Sequence, residues 1–209
     1  MAKTAKKIGS SAERLLKVTE ALCAEHGLES VSMRDIAKAA GVSPSVIYHH
    51  YESRIDLLMA VFRQRFGMLL ALRAPLVAEL EAQAVPDVDK FLYSIMAPIA
   101  FMRSKGEDGA MASRFIARAL MSSLPEIKAE VDAGIRGMRE TVDIAQRAFP
   151  HLSREEICWR LHFTFGVEHM THWDNERLEI MSDGLCNARS VEESITRAVA
   201  FAKAAFLAP

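Results

Sequence analysis

The stretch 32-SMRDIAKAAGVSPSVIYHHYESR-54 narrows the fold more than any other part of the chain. It holds three helix starts and a helix stop. Ser32 and Ser53 each stand three residues before an aspartate, Asp35 and Asp56. At that spacing the hydroxyl accepts from an orphan backbone N–H, and the carboxylate faces the positive helix end. Gly41 sits where the first helix must stop, because glycine adopts the left-handed cap at no steric cost. Ser43 then stands at an N-cap position. Pro44 follows at the first helical position, where the N–H it lacks is not needed. Two short helices joined by a three-residue connection form a helix-turn-helix layout.

The rest of the chain has the same period. Leu15, Val18 and Leu22 recur at three and four, and alternating β-branched runs between turn signals are missing. Ser10-x-x-Glu13 and Ser153-x-x-Glu156 read as further helix starts, and Gly27 as a stop. Helices are expected near 10–26, 33–40, 44–50, 53–72, 87–103, 110–122, 125–148, 154–174 and 191–207. The stretches 104–109 and 175–190 are expected as loops. The fold class is therefore all-α. An N-terminal three-helix domain with a helix-turn-helix, residues 1–55, is expected ahead of a larger helical bundle, residues 56–209.

Charge divides along the same line. Residues 1–73 hold 11 Lys/Arg against 7 Asp/Glu, and the remainder 15 against 20. A basic front on an acidic body suits a polyanion partner at one end only. Cys23, Cys158 and Cys186 show neither CxxC nor metal-knuckle spacing, which predicts free thiols in a reducing compartment. The start, 1-MAKTAKKIGS-10, is basic but no apolar segment follows it, so no secretory signal is expected. No run approaches the roughly 18 apolar residues of a membrane span. The expectation is a cytoplasmic protein with no membrane partner.

The second short helix buries little, so its outer side is free to meet another molecule. In this motif it enters the major groove, with its N-terminal residues at the base edges. The residues expected to face DNA are Ser32, Arg34, Ser43, Pro44, Ser45, Val46, Tyr48, His49 and Arg54. Ser45 and Val46 suit base edges, Val46 through a thymine methyl. Tyr48, His49 and Arg54 suit phosphates, and Arg34 suits either. The alternatives are a plain interface tyrosine for Tyr48 and solvated loop-edge residues for His49 and His50. His49 and His50 do not form a metal pair, because neighbouring helical residues point about 100° apart.

In this stretch Asp35, Ile36, Ala37, Ala40, Gly41, Val42, Ser43, Ile47, Tyr48, His50, Tyr51, Ser53, Arg54 and Leu57 fall in the order of the TetR family pattern. The segment resembles that family of bacterial repressors over about residues 10–58. Arg54 stands where lysine is usual, and Pro44-Ser45 where Lys-Gly is frequent. The resemblance implies a homodimer on a palindromic double-stranded DNA operator, released by a small-molecule effector. The C-terminal part resembles the branch of fatty-acid-responsive PsrA-like regulators, which implies an acyl-chain or other hydrophobic compound.

Within that part, Met96, Ile99, Met102, Phe115, Met138, His162, Phe165 and His169 are the candidate pocket. Methionine and phenylalanine offer adaptable apolar surface, although each taken singly suits an ordinary core better. His162, Glu168, His169 and His172 share one predicted helix, with Glu168 four residues and His169 three residues before His172. A polar face at a pocket or seam explains them better than a metal, and neither metal nor cofactor is expected. Trp159, Phe163, Gly166, Val199 and Phe206 are the candidate dimer seam. No nucleophile–base–orienter set or phosphate loop is visible, so no enzyme is expected. The rival reading is an architectural or cell-cycle DNA-binding protein controlled by a protein partner.

Overall fold

The computed structural model describes residues 2–173, 175–187 and 189–208, with side chains at 11–171, 177–187 and 189–208. Among these residues there are eleven helices and no strand. They are α1 Ala2–His26, α2 Met33–Ala40, α3 Pro44–His50, α4 Arg54–Glu81, α5 Val88–Arg103, α6 Gly106–Leu120, α7 Pro125–Gly137, α8 Arg139–Ala148, α9 Arg154–Trp173, α10 Asn175–Met181 and α11 Val191–Leu207. No helix among the described residues is long and apolar enough to cross a membrane.

Several elements differ from the expectation. Helix α1 begins well before Ser10, so that serine lies inside it rather than at its start. Helix α4 runs on past residue 72 and carries Pro75 in its interior. A proline there removes one ladder bond, a loss that local periodicity reads as an end. The expected loop 104–109 is helix from Gly106 onward, where α6 starts with Gly106 in the left-handed region, φ 77°. The expected helix 125–148 divides at Met138, just after Gly134 and Gly137, where two glycines in four residues weaken the helix. The expected loop 175–190 contains α10.

The chain forms two compact units. The front unit comprises residues 1–67 together with 114–131, and the second comprises 68–113 with 132–209. The expected boundary at 55/56 falls in the first turn of α4, whereas the units part midway along that helix. Helices α4, α6 and α7 each contribute to both units.

The front unit packs Leu15, Cys23, Leu28, Ile36, Ile47 and Phe62 to complete or near-complete burial. It also buries an ion pair. Arg65 donates through Nε and Nη2 to the two carboxylate oxygens of Glu20, at 2.7 and 2.6 Å. The second unit is built on α5, which packs on α8, α9 and α11. Its core stacks Phe91, Phe149 and Phe206, with the last two rings 4.6 Å apart. At the turn from α5 to α6 the backbone of Gly109 lies so close that a Cβ there would stand 2.0 Å from the Met102 carbonyl oxygen.

Candidate nucleic-acid interface

The short helices are held by their own punctuation. Ser32 Oγ accepts from Asp35 N–H at 3.3 Å, while the Asp35 carboxylate accepts from Ser32 N–H at 2.9 Å. The Ser32 hydroxyl, donating to Asp35 Oδ2 at 2.6 Å, together with the Ser32 N–H, holds the Asp35 carboxyl below the usual carboxylate range. Gly41, at φ 62°, ends α2: its N–H donates to Lys38 O and the Val42 N–H to Ala37 O, which satisfies two orphan carbonyls. Ser43 has the extended backbone of an N-cap, but its hydroxyl makes no cap bond. It lies 2.7 Å from Ser45 Oγ instead. Extended Tyr51 closes α3.

Helix α3 buries Ile47 alone. Pro44, Ser45, Tyr48 and His49 are exposed, as are Ser32 and Arg34 on the α2 side, and Val46 is half-buried. The decisive exposure is Tyr48, a large amphipathic ring left 57% in solvent. The His49 ring meets His50 edge-on at 5.3 Å. Among the described residues no group of three or more His, Cys, Asp and Glu converges as for a metal ion.

Arg54 departs from the expected set. Its Nη1 donates to the carbonyls of Leu28 and Val31, at 2.7 and 3.0 Å, and so pins the turn before α2 to the start of α4. That guanidinium is committed within the fold, and Arg54 is withdrawn from the phosphate contacts. The sequence also gave no sign of how the end of α1 is held. Arg118 donates from Nε to Ala24 O at 2.9 Å and from Nη2 to Glu25 O at 3.2 Å. The Glu29 carboxylate accepts from Ser122 Oγ at 2.6 Å and Ser123 N–H at 3.0 Å, which lowers its pKa. These partners are over ninety residues apart in sequence, beyond any local signal.

Residues 15–61 match the model for bacterial regulatory proteins of the tetR family. Residues 94–205 match the tetracyclin repressor-like C-terminal domain. The chain belongs to the TetR family. It is 32% identical over 71 residues to the transcriptional repressor KstR2 of Mycobacterium tuberculosis, covering 34% of this chain and 36% of that protein. It is 39% identical over 62 residues to the regulator BetI of Rhizobium meliloti, covering 30% and 29%. The chain thus spans about a third of the length of these curated relatives. Across whole chains only the fold is shared. A TetR family regulator from Marinobacter aquaeolei superposes with a TM-score of 0.62 at 18% identity, covering 96% of this chain and 97% of that one. The fatty acid degradation regulator FadR of Bacillus halodurans gives 0.57 at 16%, covering 90% and 94%. The family is one of bacterial regulatory proteins.

The C-terminal candidates of this TetR-family chain scatter. Met96, Ile99 and Met102 are buried in the second unit, Phe165 packs half-buried against its core, and Met138 is half-buried at the break between α7 and α8. Phe115 is fully buried but belongs to the front unit. His162 leaves the pocket set: it is exposed, its ring against Trp159 and Phe163. His169 is half-buried, and burial lowers its pKa. The His172 side chain lies outside the described residues. Glu168 continues the inward stripe of Ile157, Leu161 and Thr164, and desolvation pushes its carboxyl up to about 8. Of the seam set, Trp159, Phe163 and Gly166 are exposed and Val199 half-buried, but Phe206 is a fully buried core ring. Phe201, absent from the expected set, is exposed on α11. Phe201 and Phe206 stand five residues apart on α11, and which of them faces the core is decided only when the helix is docked.

Proposed function

We propose that this TetR-family regulator is a repressor that binds a palindromic operator as a homodimer and leaves it when a small apolar effector binds. The observation that carries the reading is α3. Its start is capped by backbone geometry and Pro44, its one buried side chain is Ile47, and it holds Tyr48 and His49 out to solvent. Ser45 and Val46, at its N-terminal end, are the proposed readers of base edges, together with Arg34 from α2. Ser32, Ser43, Pro44, Tyr48 and His49 position the helix on sugar and phosphate. Two such helices on a two-fold dimer meet half-sites about 34–36 Å apart.

The dimer reading rests on Trp159 and Phe163, whose rings stack 5.9 Å apart on the outer face of α9, and on exposed Phe201 of α11. Arg160 ties these helices together by donating to Ala205 O and Ala208 O. Under a two-fold axis the same face of both copies meets, so rings exposed on one copy are covered by the other. An apolar effector is supported by the adaptable apolar side chains of Met96, Ile99, Met102 and Phe165. It agrees with two relatives of the same fold, described as a ketosteroid regulator and a fatty acid degradation regulator. The effector acts only through its differential affinity for the DNA-competent and released states.

Fluorescence anisotropy with DNA from the protein's own promoter tests the DNA contacts. Tyr48→Ala is expected to weaken binding to every sequence by a similar factor. Arg34→Ala and Val46→Ala are expected to change sequence preference. Unchanged affinity and preference in all three variants would remove α3 as the reading helix.

A further inference from the structure

The strongest unassigned feature lies between α9 and α11. Within residues 178–185, Ile180, Met181 and Leu185 are 75%, 71% and 91% exposed, and Leu178 is exposed as well. Single exposed apolar residues need no explanation, but four in eight residues do. A loose loop does not account for them, because the backbone is tightly folded on itself. Gly184 N–H donates to Glu179 O at 2.9 Å, Asp183 N–H to Ile180 O at 3.2 Å, and Cys186 N–H to Ser182 Oγ at 3.1 Å. Asp183 and Gly184 both lie in the left-handed region, at φ 49° and 79°. A non-glycine residue there is uncommon and marks a defined turn. Arg189 pairs with Glu179 at 3.5 Å and ties the two ends. The segment's polar groups close its backbone while its apolar side chains face outward.

We infer that residues 178–185 form an arm that packs on the second copy of the chain and extends the dimer seam beyond α9 and α11. The inference rests on the dimer reading above. Two observations choose a second copy as the occupant. One is proximity in the chain: exposed Trp159, Phe163, Gly166 and Met170 form one stripe of α9, at steps of three and four, and exposed Leu178 follows Met170 by eight residues. The other is area. Three half-exposed rings contribute roughly 100 Å² each, or roughly 300 Å² in all. A standard interface needs about 800 Å² per partner. The arm's four side chains add roughly a further 300 Å², which brings the face within reach of that size.

Sedimentation equilibrium on the full chain, over a dilution series, tests the arm. The triple variant Ile180→Ser, Met181→Ser, Leu185→Ser changes only exposed side chains. It is expected to raise the dimer Kd by roughly 30-fold or more, the effect of losing at least one central contact. Phe163→Glu serves as the seam control and is expected to give monomer. Amide exchange across 178–187 is expected to be slower in the parent than in that monomer. If Phe163→Glu dissociates the dimer while the triple variant keeps the parent Kd and exchange, the arm is not in the interface and the seam reading stands. If the parent itself is monomeric at high concentration, the seam reading fails and takes the arm with it.

Discussion

Replacing Glu168 by Gln is expected to make stability less dependent on pH. The Glu168 carboxyl lies on the inward stripe of α9, and desolvation pushes its pKa up to about 8 from an ordinary value of 4.5. Between those values the folded chain keeps the proton and the unfolded chain gives it up. The unfolded state then binds fewer protons, so stability falls as pH rises through that window and levels off above about 8. At about 1.4 kcal/mol per pH unit, the ceiling on this loss is about 5 kcal/mol. Part of the side chain still reaches solvent, which screens the ionised form and brings the expected loss to about 2 kcal/mol. Glutamine keeps the shape and cannot ionise. Urea denaturation of parent and Glu168→Gln at pH 5 and pH 8.5 reads the difference, and groups common to both proteins cancel. The two are expected to match within about 0.5 kcal/mol at pH 5, where Glu168 is protonated in the folded state. At pH 8.5 the variant is expected to be more stable by about 2 kcal/mol, or roughly 4–8 °C in Tm for a chain of this size. An equal gap at both pH values would show that Glu168 is not desolvated.

Glu20→Ala leaves the buried Arg65 guanidinium without its carboxylate and is expected to cost about 3–5 kcal/mol by chemical denaturation. Gly109→Ala places a Cβ 2.0 Å from the Met102 carbonyl oxygen. Backbone must move, so the usual gain of alanine in a helix is expected to become a net loss of about 1–3 kcal/mol in thermal melts. Arg118→Ala removes two donors from the last carbonyls of α1 and is expected to cost about 1–2 kcal/mol, with faster amide exchange near Gly27 and Leu28.

The sequence by itself determined the parts whose physics is local. Ser32 with Asp35, Ser53 with Asp56, Gly41, and Pro44 place α2, α3 and the start of α4, because a cap needs partners only three or four residues away. The three-to-four periodicity marks the long helices for the same reason. Tertiary packing decided the rest. Pro75 interrupts the bonding ladder of α4 without ending the helix, and α7 breaks from α8 beside two glycines that a continuous pattern would have tolerated. Whether Phe206 or Phe201 faces the core depends on which side of α11 meets α5. Arg54 looked available to phosphate until the carbonyls of Leu28 and Val31 came within its reach. Residues 114–131 join the front unit through Arg118, Ser122 and Ser123, across more than ninety residues of chain. A hydrogen bond or a packed ring across such a separation leaves no periodicity to read, and it exists only once the chain has folded around it.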